Sequence, residues 1–273
     1  MIKNNVIITG ATSGIGLSCA KHFCTQGHHV FGLSRSGACD AYTHELFSLY
    51  SADVTDDESV KETITRIQKD ALNLTHNGIQ TIIHCAGYGI AGSTEDTPLE
   101  RVKEQFETNY FGVLRVNSVA LPLLRENKKS HIIVLGSIAG RISIPFQSHY
   151  SATKASLESY IEAMRMECRD VGVKATIVEA GDTATPFSQQ RAYYAPLDSP
   201  YTIQGKKAVA KMKKDEAKGY SPELVAKVVY KVSMKKDPPL RVVVGVSYKA
   251  LMILKRILPD IVVEKIISSL YLS

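Results

Sequence analysis

The sequence has no tryptophan, no Cys-x-x-Cys pair, no internal repeat and no long apolar run. Each absence removes a class. A membrane-spanning helix needs roughly 18 or more consecutive apolar residues, and none occur here. The five cysteines, Cys19, Cys24, Cys39, Cys85 and Cys168, are odd in number and unpatterned. They form no disulfide framework and point to a reducing compartment. The eight histidines lack metal-ligand spacing, so no metal site is expected. The start of the chain reaches a turn at Gly10 with no room for a signal-peptide core. A cytoplasmic protein is expected, at most peripheral at a membrane surface. No sign of charge dominates either: 33 basic residues against 27 acidic ones give +6. That bias is mild for the length, and no nucleic-acid partner is expected.

What remains is an ordinary globular composition, 44% apolar and 22% charged over 273 residues. Such a chain buries a sizeable core without staples. Short β-branched runs at 6–8, 29–33, 46–50, 81–83, 132–135 and 175–178 read as buried strands. Helical stretches at 17–26, 56–77, 98–125 and 149–171 alternate with them, the third bent at Pro122. The alternation predicts an α/β fold with a doubly wound parallel sheet of the Rossmann type. Residues 181–221 break the pattern with three prolines, several tyrosines and a basic helical piece at 206–218. They are expected to form an irregular substrate-binding lid. A helix over 222–235 and a strand over 241–244 follow. The expected organisation is a catalytic domain over 1–245 and an amphipathic helical tail over 246–273.

The first turn reads Thr9-Gly10-Ala11-Thr12-Ser13-Gly14-Ile15-Gly16. Glycines let the backbone turn tightly and approach a pyrophosphate. The following helix start offers free N–H groups and the positive end of its dipole. The strand–turn–helix context makes this a dinucleotide cradle rather than a bare turn. At the end of the second strand an acidic residue would bind the ribose 2′-hydroxyl of NAD(H). This chain has Ser34-Arg35 there, which suits the 2′-phosphate of NADP(H).

Tyr150-Ser151-Ala152-Thr153-Lys154 opens the helix after the fifth strand. The i, i+4 spacing puts Tyr150 and Lys154 on one face. An ammonium nearby is expected to lower the phenol pKa, suiting it to exchange a proton with an alcohol or ketone oxygen. Ser137, at the end of the fifth strand, faces the same crevice outside the strand ends. It reads either as a hydroxyl that holds a substrate oxygen or as a turn cap.

Taken together, Thr9-Gly10, Gly14-Ile15-Gly16, Asp53, Cys85-Ala86-Gly87, Asn109, Ser137, Tyr150 and Lys154 stand in an order that resembles the short-chain dehydrogenases/reductases. The resemblance covers about residues 3–245. It implies that Tyr150 is the proton donor or acceptor. Lys154 would tune it and bind the nicotinamide ribose, and Ser137 would hold the substrate oxygen. Asn109 would bend its helix and hold a water in a proton relay. Gly10, Thr12, Ser13, Gly14, Ile15 and Gly16 would hold the pyrophosphate side of the cofactor, Asp53 and Val54 its adenine. Cys85, Ala86 and Gly87 would pass close to it, and Gly181, Thr183 and Thr185 would meet the nicotinamide.

Three departures stand out. The fourth-strand motif is His84-Cys85-Ala86-Gly87 where the family has Asn-Asn-Ala-Gly, so Cys85 must brace the sheet differently or not at all. Ala180-Gly181-Asp182-Thr183-Ala184-Thr185 replaces the usual Pro-Gly-x-x-x-Thr. Ser13 is not the basic residue that many NADP-using members carry.

The expected activity is hydride transfer between NADP(H) and a carbonyl or secondary alcohol. The aromatic-rich lid, with Phe187, Tyr193, Tyr194 and Tyr201, and a tail like those of lipid-handling members suggest an apolar, lipid-, steroid- or retinoid-like substrate. The tail is expected to pack on the domain or pair subunits, as a homodimer or homotetramer, ahead of touching a membrane. The rivals are a cofactor-binding regulatory protein without turnover and an epimerase or dehydratase; the complete Ser-Tyr-Lys-Asn set and the absence of a larger C-terminal domain argue against them.

Overall fold

The computed structural model describes residues 2–127 and 129–272. Met1 and Ser273, the outermost residues of the expected domain and tail, lie outside that range. The β-branched runs become strands because they can be covered on both faces. β1 (Asn5–Thr9) is buried at every position, as is β4 (Thr81–His84). With β2 (His29–Ser34), β3 (Phe47–Ser51), β6 (Ser130–Ser137), β7 (Val173–Ala180) and β9 (Arg241–Val243) they form one sheet of order β3-β2-β1-β4-β6-β7-β9. Every pairing in it is parallel. The order reverses between β1 and β4, which opens the crevice that ligands use in such sheets.

Two apolar layers cover the sheet. On one side α2 (Asp57–Thr75), α4 (Gly112–Glu126) and α5 (Ser148–Glu167) bring Ile64, Ile67, Val116, Leu124 and Ile161 against Ile82, Ile132 and Ile177. On the other, α1 (Gly14–Thr25) and α8 (Pro222–Ser233) bring Phe23, Val225 and Val229 against Val6, Ile8 and Ile83. Starts are set by local chemistry: the Asp56 carboxylate accepts from Ser59 N–H at 2.6 Å and caps α2, and Ser221 caps α8.

Three elements differ from expectation. The stretch expected as one helix over 98–125 is α3 (Leu99–Phe106), a π-helical turn (Glu107–Phe111) and α4. The irregularity sits at Asn109, where the family resemblance put a bend, and not at Pro122, which lies inside α4. Residues 181–221 are less irregular than expected. They carry α6 (Phe187–Gln190), β8 (Ala192–Tyr194) and α7 (Thr202–Ala217), and β8 pairs with β5 (Ile90–Gly92) in a second, two-stranded sheet. The tail is two helices, α9 (Val246–Ile257) and α10 (Asp260–Leu272), separated at Pro259. Among the described residues no helix is long and apolar enough to cross a membrane.

Candidate active site

Leaving β1, the chain turns through Gly10 and Gly14, both in the left-handed region at φ +66 and +49. A Cβ on Gly10 would sit 3.0 Å from the Ala86 backbone, and one on Gly16 would sit 2.1 Å from the Gly10 carbonyl. No other residue fits either place. Thr9 laces the turn to the end of β4: its hydroxyl accepts from the N–H groups of Cys85 and Ala86, both at 3.1 Å. This hydroxyl, not the Cys85 side chain, ties β1 to the end of β4. Ser13 makes no side-chain cap on α1, leaving the first-turn amides free for an anion. The tight turn and the uncapped helix start therefore fit a dinucleotide pyrophosphate.

Directly outside the strand ends lies a cavity of about 400 Å³. The turn contributes Gly10, Ser13, Gly14, Ile15 and Gly16 to its wall, and the end of β4 contributes Cys85, Ala86 and Gly87. Ser137, Tyr150 and Lys154 stand together on it, and Gly181, Thr183 and Thr185 close the far side. Thr12, Ser34, Arg35, Asp53 and Val54 do not line it. The last four lie at or just after the ends of β2 and β3. Against burial, the Thr55 amide and hydroxyl, and then the Arg35 and Arg115 charges, hold the Asp53 carboxyl below its ordinary value.

Tyr150 opens the first turn of α5, with Lys154 one turn later, its Nζ 5.8 Å from the phenol ring centre. Lys154 is buried, and Nζ donates to the Leu135 carbonyl at 2.7 Å. Burial pulls its pKa down to about 8. The expectation for Tyr150 needs correcting. The sequence suggested a phenol with a lowered pKa; instead burial pushes it up to about 12, while the Ser137 hydroxyl and the Arg191 charge pull weakly the other way. Loss of water around the phenol outweighs the neighbouring charges. Ser137 lines the cavity, and its hydroxyl caps the following turn by accepting from Ala139 N–H at 3.1 Å.

Asn109 does not touch the cavity. It sits in the π-turn behind it, almost fully buried. Its Oδ1 accepts from Tyr88 N–H at 3.0 Å, and its Nδ2 donates to the Tyr88 carbonyl at 2.9 Å and to Thr153 Oγ1 at 3.2 Å. It thus fastens the strand-end loop to α5, between Tyr150 and Lys154. Gly87 leaves room for it, since a Cβ there would be 3.0 Å from Asn109 Oδ1.

Several wall residues carried no sequence signal. Arg191, its side chain 1% exposed, pairs with Glu216 and lies 5.4 Å from the Phe187 ring centre. Phe187, one of the aromatic residues expected in the lid, lies 5.6 Å from the Tyr150 ring centre. The tail, whose role the sequence left open, roofs the cavity with Tyr248 and Leu251 of α9 and Ile266, Ile267 and Leu270 of α10. Tyr248 Oη fixes the roof by donating to Asp182 Oδ2 at 2.6 Å and accepting from Asp182 N–H at 2.9 Å. Only the apolar periodicity of the tail hinted at this.

A seven-stranded Rossmann-type sheet, an uncapped Gly-rich turn and a buried Tyr–Lys pair define a nicotinamide-dependent oxidoreductase. Residues 4–193 match the family model described as short chain dehydrogenase. A Helicobacter pylori protein named "Probable short-chain type dehydrogenase/reductase VdlC" is 35% identical over 93% of each chain. The 3-ketodihydrosphingosine reductase of Bacteroides thetaiotaomicron is 31% identical, covering 88% of this chain and 87% of its own. A solved short-chain dehydrogenase from Streptomyces avermitilis superposes with a TM-score of 0.80 at 25% identity, over 97% of this chain and 96% of the other. The chain belongs to the short-chain dehydrogenase/reductase family.

Proposed function

We propose that the protein is an NADP(H)-dependent carbonyl reductase or secondary-alcohol dehydrogenase acting on an apolar substrate through Ser137, Tyr150 and Lys154. One observation carries the reading: these three side chains converge on a single cavity, between the glycine turn and the apolar residues of the tail. Bound nicotinamide supplies the hydride in reduction and takes it in oxidation. In reduction the substrate carbonyl oxygen accepts from Ser137 and faces the Tyr150 hydroxyl. As hydride reaches the carbonyl carbon, the Tyr150 proton moves to the oxygen. With a pKa near 12, Tyr150 keeps that proton at neutral pH until an acceptor of developing negative charge arrives. The phenolate left behind is stabilised by the Lys154 ammonium, which the Leu135 carbonyl holds in place. Oxidation runs the same transfers backwards.

The apolar substrate class rests on the walls offered by Ile138, Ile142, Leu251, Ile266 and Leu270. The Bacteroides relative, named for a long-chain ketone, supports the same class. In this reading residues 181–221 and the tail together form the lid. NADP(H) is favoured over NAD(H) because Arg35 follows the last residue of β2 with its side chain exposed, and no carboxylate stands at 34 or 35.

Tyr150→Phe tests the chemistry. Turnover of NADPH with a panel of long-chain ketones should drop by roughly 100- to 10,000-fold, the usual contribution of a positioned proton donor. NADPH fluorescence titration should remain unchanged; undiminished turnover refutes the mechanism. Arg35→Ala tests the cofactor. It should weaken NADPH about tenfold or more, the loss of a charge-assisted contact, and leave NADH nearly unaffected. Equal affinity of the unaltered protein for the two cofactors overturns the preference.

A further inference from the structure

The two tail helices have apolar residues on more sides than the fold covers. Tyr248, Leu251 and Met252 of α9 face inward, against Ile138 and Ile142. On the opposite side Val246, Ala250, Ile253, Leu254 and Ile257 recur at i, i+4, i+7, i+8 and i+11, all exposed. That spacing draws one stripe along the helix. It lies open: Val246 is 79% and Ile257 73% exposed. α10 adds Val262, Ile266 and Leu270 at i, i+4 and i+8, again exposed. Large apolar side chains set out in a continuous row mark a docking face rather than the scatter normal on a surface.

The charges say what docks. Lys249 and Arg256, one heptad apart, flank the α9 stripe on the same side. Lys265 on α10 adds a third cation to that face, against Asp260 and Glu264, whereas half-buried Lys255 falls at i+4 from Leu251, on the inward side. None of the four pairs with a carboxylate among the described residues. A second copy of the chain meeting this face across a two-fold axis would bring the same excess of cations, with only Asp260 and Glu264 of the two helices to neutralise them. An anionic lipid surface satisfies both features at once, with apolar side chains in the acyl boundary and cations at the headgroups. The face is also continuous with the cavity, because Ile266 and Leu270 are exposed and line its wall.

We propose that the α9–α10 face docks on the surface of an anionic lipid bilayer, lying in its interface, and so sets the cavity wall against the bilayer. The docking is a property of the surface and does not depend on the hydride chemistry.

Flotation of the full-length protein with vesicles tests it. The protein should float with an equimolar phosphatidylcholine–phosphatidylglycerol mixture, float less with phosphatidylcholine alone, and be released by salt. Ile253→Glu/Ile257→Glu should lower the bound fraction about tenfold or more, since both residues would otherwise sit in the acyl boundary. Lys249→Glu/Arg256→Glu should weaken binding to the anionic vesicles by a similar factor. Both pairs are exposed, so the melting temperature and NADPH affinity should not change. The proposal fails if the unaltered protein floats with neither composition, or if the stripe variant binds as well as the parent. It also fails if that variant loses oligomeric mass by light scattering while vesicle binding is untouched, which would assign the face to a second copy.

Discussion

Lys154 carries its charge where water is nearly absent, and that fixes how the site responds to pH. Its pKa is lowered to about 8, so it is an ammonium at neutral pH and loses its proton just above. Tyr150, raised to about 12, does not titrate over the same range. The kcat/KM for carbonyl reduction should therefore fall by about tenfold per pH unit above roughly pH 8, with a single ionisation. A pH–rate profile checks this, and Lys154→Arg, charged throughout, should remove the limb even if its rate is lower. A flat profile to pH 10 would show that the ammonium is not needed. The Tyr–Lys spacing was legible because a helix brings i and i+4 together whatever surrounds it. The direction of the tyrosine shift was not, because desolvation depends on residues such as Phe187 that reach the site from far along the chain. The same holds for Arg191: nothing nearby in sequence tells that Glu216 will bury it.

Between the strands and the site stand whole elements, and the π-turn at Glu107–Phe111 is the most consequential of them. One extra residue per turn directs Asn109 inward, where its amide makes three hydrogen bonds, two to the Tyr88 backbone and one to Thr153. Asn109→Leu leaves the half-buried Tyr88 amide without a partner, while the Tyr88 carbonyl keeps its bond from Gln105 Nε2 at 3.1 Å. It should cost about 1–3 kcal/mol of stability by urea denaturation, the penalty for one orphaned group. In the fraction that folds, kcat should fall because Thr153 and the strand-end loop are no longer tied together. Asn109→Asp keeps the acceptor and should lose less. Sequence periodicity found the strands and long helices of the main sheet, since burial on two faces leaves continuous apolar runs. It missed β5 and β8, because Ile90-Ala91-Gly92 and Ala192-Tyr193-Tyr194 lack the β-branched run that marks even the three-residue β9. It also placed the bend at Pro122, although a proline in α4 is accommodated while the inward amide of Asn109 reshapes the helix.

At the scale of the whole molecule, the doubly covered sheet buries imidazoles along with its isoleucines. His84 in β4 bonds Asn117 at 2.9 Å and His131 in β6 bonds Thr176 at 3.0 Å, both within the sheet's cover. Burial lowers each of them to about 4, and does the same to His28 before β2. In the unfolded chain each has the ordinary value of ~6.5. Between these values the unfolded chain binds more protons than the folded one, so stability rises with pH across that window. The contribution is complete above about pH 6.5, drains away as pH falls towards 4, and changes little below. For a fully buried imidazole the loss is up to ~3 kcal/mol, at ~1.4 kcal/mol per pH unit. Urea midpoints should therefore drop between pH 6.5 and 4.5, although Glu158, which burial raises to about 7, takes up a proton in the folded chain over the same window and offsets part of the loss. His84→Gln, which keeps an amide for Asn117 but cannot ionise, should flatten part of that slope while lowering stability at pH 7 only modestly. If the slope is unchanged in His84→Gln, or if the His84 ring titrates near 6.5 by NMR in the folded protein, the sheet's interior is wetter than its packing implies.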